Sequence, residues 1–199
     1  VVSQTLVTCR SAAGVGKDLA FLIAVGDQLS AQFPSTESYA PPSVAWFEGL
    51  GAVDAATPGG QVVRIQGRNF GYDSSYLSRV RYTWSLDGHN TTFSASSCSI
   101  SVPHKELTCT TAPGAGAALG WVVTVDHQDS TAPSTSYARP SITNVTTASV
   151  APVSAANTDG GETVYVHGFD FGPPSSAGMD ITRRLQYGVS GAGYEVTDF

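Results

Sequence analysis

The residues whose types and spacing could do chemistry are three cysteines, two Asn-x-Ser/Thr sequons and four histidines. Cys98 and Cys109 flank a short polar stretch containing Pro103-His104. Two cysteines that bracket a hairpin form a disulfide more often than a metal site, because no CxxC pair or nearby histidine pair supplies four ligands. A pair of buried free thiols in a reducing compartment is the other reading. The sequons are Asn90-Thr91-Thr92 and Asn144-Val145-Thr146. Asn90 follows Asp87-Gly88-His89, a turn signature, so its side chain is expected to be exposed and open to an N-linked glycan. Asn144 is the second expected glycan site, and Ser130–Ser136 is a weaker candidate for O-linked sugars. In a chain this rich in serine and threonine, chance occurrence of the sequons is the competing reading.

No catalytic motif is complete. Gly188-Val189-Ser190-Gly191-Ala192 departs from a nucleophile elbow at its fifth position, and no helical pattern follows it, so it reads as a turn. Gly114-Ala115-Gly116-Ala117-Ala118-Leu119-Gly120 has the wrong glycine spacing for a dinucleotide loop and precedes a strand, so it reads as a strand connection. His89, His104, His127 and His167 are dispersed over turns and outward strand positions. Asp126 and Asp129 flank His127, where a polar loop is a better reading than a cation site. Asp180 beside Arg183 and Arg184 reads as a surface ion pair. No catalytic residue, metal ligand or cofactor is expected.

The elements that position these residues are strands. No window carries apolar residues at helical spacing over three turns; short β-branched runs between Gly, Pro, Asp and Ser dominate. Strands are predicted near Ser43–Phe47, Gln61–Gln66, Arg79–Leu86, Thr91–Ser94, Ser97–Val102, Leu107–Thr111, Trp121–Asp126 and Thr135–Tyr137. That density fits an immunoglobulin-like sandwich.

The sequence also repeats itself. Gly59-Gly60 with Gly67-Arg68-Asn69-Phe70-Gly71 returns as Gly160-Gly161 with Gly168-Phe169-Asp170-Phe171-Gly172. Thr8-Cys9 with Gly14-Val15-Gly16 returns as Thr108-Cys109 with Gly114-Ala115-Gly116, and Ser38-Tyr39-Ala40 returns as Ser136-Tyr137-Ala138. A period of about 100 residues is a domain and not a solenoid turn. Residues 41–139 are then one complete unit, 1–40 the C-terminal half of another, and 140–199 the N-terminal half of a third. Positions apolar in both copies should point inward: Val63 and Ile65 with Val164 and Val166, and Trp121, Val123 and Val125 with Phe21, Ile23 and Val25. Phe70 and Phe171 are expected to plug the end of the core. Arg79–Tyr82 resembles Arg183/Arg184–Tyr187, which sets Phe199 opposite about Phe93 or Ser94. Cys9 matches Cys109, and its partner is expected outside this sequence. Forty residues carrying half a core should not fold alone. The expectation is that 1–40 of one protomer completes 140–199 of its neighbour, unless one continuous chain runs through both.

Charged residues make up 13% of the chain, against about a quarter in a typical soluble domain. The net charge of −6 and the lack of a basic run argue against nucleic-acid binding. No stretch approaches a membrane span; the longest apolar run, Leu19–Val25, is strand-sized. The start at Val1, without methionine or signal peptide, suits a mature or truncated product.

Pro42-Ser43-Val44, the Gly-Gly-x-x-Val-x-Ile/Val-x-Gly-x-Asn/Asp-Phe-Gly block and Cys…Cys-Thr followed by Pro113-Gly114-Ala115-Gly116 together resemble the IPT/TIG domain. This is the immunoglobulin-like fold of plexins, certain transcription factors and tandem surface proteins. The resemblance covers nearly the whole chain, departing from it in extra loops at Tyr72–Ser78 and Pro173–Ile181. It implies all-β tandem sandwiches used for adhesion, spacing or assembly. The expected function is a non-enzymatic repeat unit of an extracellular, glycosylated fibre, stalk or surface coat, self-associating head to tail. The alternative is an adhesive or receptor ectodomain whose loops bind a protein or glycan.

Overall fold

The computed structural model describes residues 3–86, 88–131, 133–147, 158–174, 184–191 and 193–196. They are nearly all β, arranged as several antiparallel sheets. The first strands are β1 (Leu19–Phe21), β2 (Ala24–Val25), β3 (Gln28–Leu29) and β4 (Phe33–Glu37). The central stretch holds β5 (Ser43–Glu48), β6 (Val62–Arg68), β7 (Leu77–Leu86), β8 (His89–Ser94), β9 (Ser96–Val102), β10 (Glu106–Thr110), β11 (Leu119–Val125), β12 (Gln128–Asp129) and β13 (Ser134–Thr135). Then come β14 (Ser141–Thr147), β15 (Val164–Phe169), β16 (Leu185–Tyr187) and β17 (Tyr194–Val196).

Two sheets form the central unit. One has the order β5-β6-β10-β9; the other runs β12-β11-β7-β8, with β13 also on β11. Period-two alternation explains what they bury. Along β6, Val63 and Ile65 are wholly buried, whereas Arg64 points out and pairs with Glu48 at 3.6 Å. Along β11, Trp121, Val123 and Val125 are buried. Leu107 and Cys109 of β10 join Val80 and Tyr82 of β7 in the same core cluster, so the sheets share one core. Phe70 is also fully buried in that core, at the end of β6. Gly67 allows the close approach this needs: a Cβ there would collide with the Ser43 carbonyl and the Phe70 ring. Two parallel bridges, Ser43 to Thr131 and Ala55 to Tyr137, tie the start of β5 and the loop after it to the residues on either side of β13.

Several boundaries differ from the expected ones. The last strand of the unit is Ser134–Thr135, and Tyr137 lies beyond it, because Tyr137 leaves the ladder to hydrogen-bond Gly116 and Ala112. The extra loop after Phe70 contains one 3-10 turn, Ser74–Tyr76, capped by the Asp73 side chain accepting from the Ser75 N–H. Residues 175–183 of the second extra loop lie outside the described residues.

Candidate functional site

The geometry with functional consequence is the interior of the central unit and what becomes of it on either side. Trp121 stacks on Tyr82 with ring centroids 4.3 Å apart and meets Phe47 at 5.2 Å. Tyr82 also stacks on Phe93 at 5.4 Å. A hydroxyl network lies beside these rings. The Tyr137 hydroxyl donates to the Ala112 carbonyl (2.7 Å), the Ala112 N–H donates to the Tyr82 hydroxyl (2.9 Å), and the two hydroxyls are 2.7 Å apart. β7, the Ala112 loop and the strand-end Tyr137 are thereby clasped at one point.

Burial pushes both phenols above their ordinary range, and the contact with Tyr82 pushes Tyr137 further. A raised folded value makes the stabilisation fully present below the unfolded tyrosine pKa of about 10 and lost as pH rises through the folded values. The urea midpoint of the chain is therefore expected to fall from about pH 9 to about pH 11 beyond what surface charge causes. The Tyr137→Phe variant should show a shallower fall; equal slopes for the two proteins would contradict this assignment.

The flanking segments reproduce the local geometry of this unit. β5 pairs β6 with Ser43 opposite Arg68, Val44 opposite Gly67, and a register shift between Val44 and Trp46. β14 pairs β15 with Ser141 opposite Phe169, Ile142 opposite Gly168, and the matching shift between Ile142 and Asn144. Gly168 meets the Ser141 carbonyl and the Phe171 ring just as Gly67 meets Ser43 and Phe70. On the other side, the β2–β3 hairpin pairs Val25 with Gln28 as β11–β12 pairs Val125 with Gln128. Leu19 faces Glu37 as Leu119 faces Thr135. The Tyr39 N–H donates to Gly16 and its hydroxyl to the Ala12 carbonyl (2.6 Å), as Tyr137 does to Gly116 and Ala112. Tyr187 and Tyr194, paired across β16–β17, stack at 5.1 Å in the manner of Tyr82 and Phe93. This corrects the expected alignment at the chain's end: Tyr194, not Phe199, stands where Phe93 does. The hairpin is shorter, since Tyr194 follows Tyr187 by seven residues and Phe93 follows Tyr82 by eleven.

Burial is where the copies part. Tyr82, Trp121 and Phe70 are 1%, 2% and 0% exposed, whereas their counterparts Tyr187, Phe21 and Phe171 are 59%, 56% and 40% exposed. Ile142, Val164, Ile23 and Val25 are exposed large hydrophobics as well. Each flank thus presents an inner sheet face to solvent. The flanks attach at opposite ends of β6. Val15 lies beside Gly71, past the end of β6, and the Gln128 amide donates to the Tyr39 carbonyl at 3.0 Å. Before the start of β6, the Thr57 N–H and hydroxyl both reach the Asp170 carboxylate, at 3.2 and 3.4 Å.

The chemistry-bearing residues take separate places. Cys98 of β9 and Cys109 of β10 are disulfide-bonded within one sheet, with S–S 2.09 Å. Cys9 is exposed and outside any disulfide. Asn90 is exposed but belongs to β8, not to the preceding turn. Asn144 is exposed on β14, its carbonyl oxygen accepting from the Val145 N–H. Both amides therefore face solvent in a form a glycan could occupy. Intact mass before and after enzymatic N-glycan release should fall by at least one glycan when the protein is taken from its native source. An unchanged mass would remove the glycan assignment.

The remaining polar groups have local roles. His167 lies 3.0 Å from the Thr146 hydroxyl, and Asp129 accepts from Thr124 and faces Arg81 at 3.6 Å. His104 sits at positive φ in the β9–β10 turn. Arg184 pairs with Glu195 at 3.1 Å, and the expected ion pair of Asp180 with the two arginines falls outside the described residues, which include neither Asp180 nor Arg183. The segment after Gly188 is the β16–β17 turn, with the Gly191 N–H donating to Gly188. An open depression of about 400 Å³ is lined by Ser78, Arg79, Thr124, His127 and Asp129. Among the described residues no cluster of three or more His, Cys, Asp or Glu could hold a metal ion, and no helix is long and apolar enough to cross a membrane.

No protein-family model matches this chain, and neither a curated protein nor a solved structure matches it.

Proposed function

We propose that this protein is a non-enzymatic structural repeat, one link of a head-to-tail array forming an extracellular fibre, stalk or coat. The observation that carries this reading is the recurrence of one local geometry across the central unit and both flanks, with apolar inner faces exposed at each end. Apolar inner faces exposed on both flanks give a ready means of joining to a further unit. The hydrogen bonds from Thr57 to Asp170 and from Gln128 to Tyr39 restrict bending where neighbouring segments meet.

Within this reading the units are immunoglobulin-like sandwiches of the IPT/TIG kind. The order β5-β6-β10-β9 against β12-β11-β7-β8 follows the A-B-E-D and G-F-C order of immunoglobulin sheets, with one added edge strand, which supports the assignment. The disulfide fits an oxidising compartment and so a location outside the cell or on its surface. Asn90 and Asn144 would carry N-linked sugars there. An adhesive or receptor role is the second reading, and the depression beside Arg79 and His127 is the feature that favours it. Negative-stain imaging of the concentrated protein tests the first reading: rods or fibrils with a regular axial repeat are expected. Single, unassociated particles at all concentrations would contradict it.

A further inference from the structure

The central unit contains, within one chain, a complete copy of what each flank lacks. β14 to β17 correspond to β5 to β8, and β1 to β4 correspond to β11 to β13 with the strand-end tyrosine. Together the flanks hold most of the elements of the central unit, yet they are attached at opposite ends of β6. Those ends are six residues apart, from Val62 to Arg68, a separation of roughly 20 Å. A chain so arranged holds its exposed apolar residues in two separate places, where a second copy can reach them.

We propose that the inner faces of the β14–β15 and β16–β17 sheets form a docking surface for residues 3–40 of a second copy of this chain, and that Tyr187 sets its register through a hydroxyl clasp with Tyr39 and Ala12 of that copy. The proposal rests on the array reading above and names the contacts that build it. The central unit supplies the template. There Tyr82 receives the Ala112 N–H and touches the Tyr137 hydroxyl, which in turn donates to the Ala112 carbonyl. On one flank the Tyr39-to-Ala12 half of this clasp is already made at 2.6 Å. Gly14 leaves the room for it: a Cβ there would lie 2.8 Å from the Tyr39 ring, and at the equivalent Gly114 one would lie 2.6 Å from the Tyr137 hydroxyl. On the other flank Tyr187 stands in the place of Tyr82, stacked on Tyr194 and exposed.

Docking would set Phe21 beside Tyr187 as Trp121 pairs with Tyr82 across β11 and β7, and would cover Val164 with Ile23 and Val25. Because strand side chains alternate, a slip of one residue would turn these groups to solvent. A slip of two residues keeps the same face inward, and apolar contacts alone tolerate it. The clasp does not, since it needs one hydroxyl beside one N–H and one carbonyl of a single residue. The contact is heterologous, so it propagates into an array wherever the rotation between copies does not close a ring.

The test uses the full 199-residue chain and two blocking variants, with sedimentation velocity as the readout. Phe21→Asp disables the inserting segment and leaves the docking face; Tyr187→Asp does the reverse. Each variant alone is expected to sediment as a monomer, and an equimolar mixture as a one-to-one dimer, because the mixture holds one intact pair of faces. The dimer itself shows that both variants fold. Tyr187→Phe, which keeps the ring and removes the hydroxyl, should weaken assembly roughly tenfold, as expected for loss of one hydrogen bond that leaves a buried partner unsatisfied. A wild-type chain that stays monomeric overturns the array reading and this proposal with it. A wild-type chain that assembles while both blocking variants assemble equally well, or a mixture that stays monomeric, overturns the docking surface alone. Tyr187→Phe assembling as the wild type does would overturn the clasp.

Discussion

Replacing Trp121 by alanine is expected to destabilise the central unit by about 3–5 kcal/mol, the range for deleting a large aromatic side chain from a packed core. Trp121 is almost fully buried, stacks on Tyr82, meets Phe47, and donates from its indole N–H to the Thr135 hydroxyl at 2.8 Å. Its loss leaves a cavity and an unpaired hydroxyl. For a unit of about 100 residues this corresponds to a fall in melting temperature of roughly 12 °C or more. Phe21 occupies the same position in the repeat but is exposed. Phe21→Ala should therefore leave the melting temperature of the dilute chain nearly unchanged and reduce its assembly. Thermal unfolding followed by tryptophan fluorescence, paired with sedimentation of both variants, checks the contrast. Equal destabilisation by the two substitutions in dilute solution would mean that Phe21 is covered by its own chain.

The second large effect concerns the disulfide. Cys98 and Cys109 are 11 residues apart, and closing a loop of that size stabilises the folded state by roughly 3 kcal/mol in the chain-entropy account. Cys109 is also a buried member of the core on β10, facing the same cluster as Val63 and Leu107. The double replacement Cys98→Ala and Cys109→Ala should thus lower the urea unfolding free energy by about 3 kcal/mol. Reductant should then have no further effect on the variant. A wild-type chain whose unfolding curve is the same with and without reductant would contradict a stabilising role for the bond.

Much of the strand layout can be read from residue types, because alternation is a strong signal where one face is buried. Val63, Ile65, Trp121, Val123 and Val125 all turn inward as their spacing demands. The disulfide is legible too, since two cysteines bracketing a polar turn fall on adjacent antiparallel strands. Strand ends are less legible. Tyr137 has the β-propensity of a strand residue, yet its hydroxyl finds Ala112 and Tyr82, and that long-range clasp draws it beyond the ladder. Nothing in the local sequence announces such a contact. The length of the β16–β17 hairpin was hidden for a related reason: turn residues such as Gly188 and Gly191 carry little register information, and only the Tyr187–Tyr194 stacking fixes it. The brace between Thr57 and Asp170 joins residues far apart in sequence, so no spacing rule could have found it.

The most direct measurement of the central claim is a side-chain-resolution structure of the assembled protein. Head-to-tail docking places Phe21 of one copy against Tyr187 of the next with ring centroids near the 4.3 Å found between Trp121 and Tyr82, and brings the Tyr187 and Tyr39 hydroxyls together across the junction. An assembly in which the inner faces of β14–β17 remain open to solvent, or are covered by any segment other than residues 3–40 of a neighbour, would contradict it.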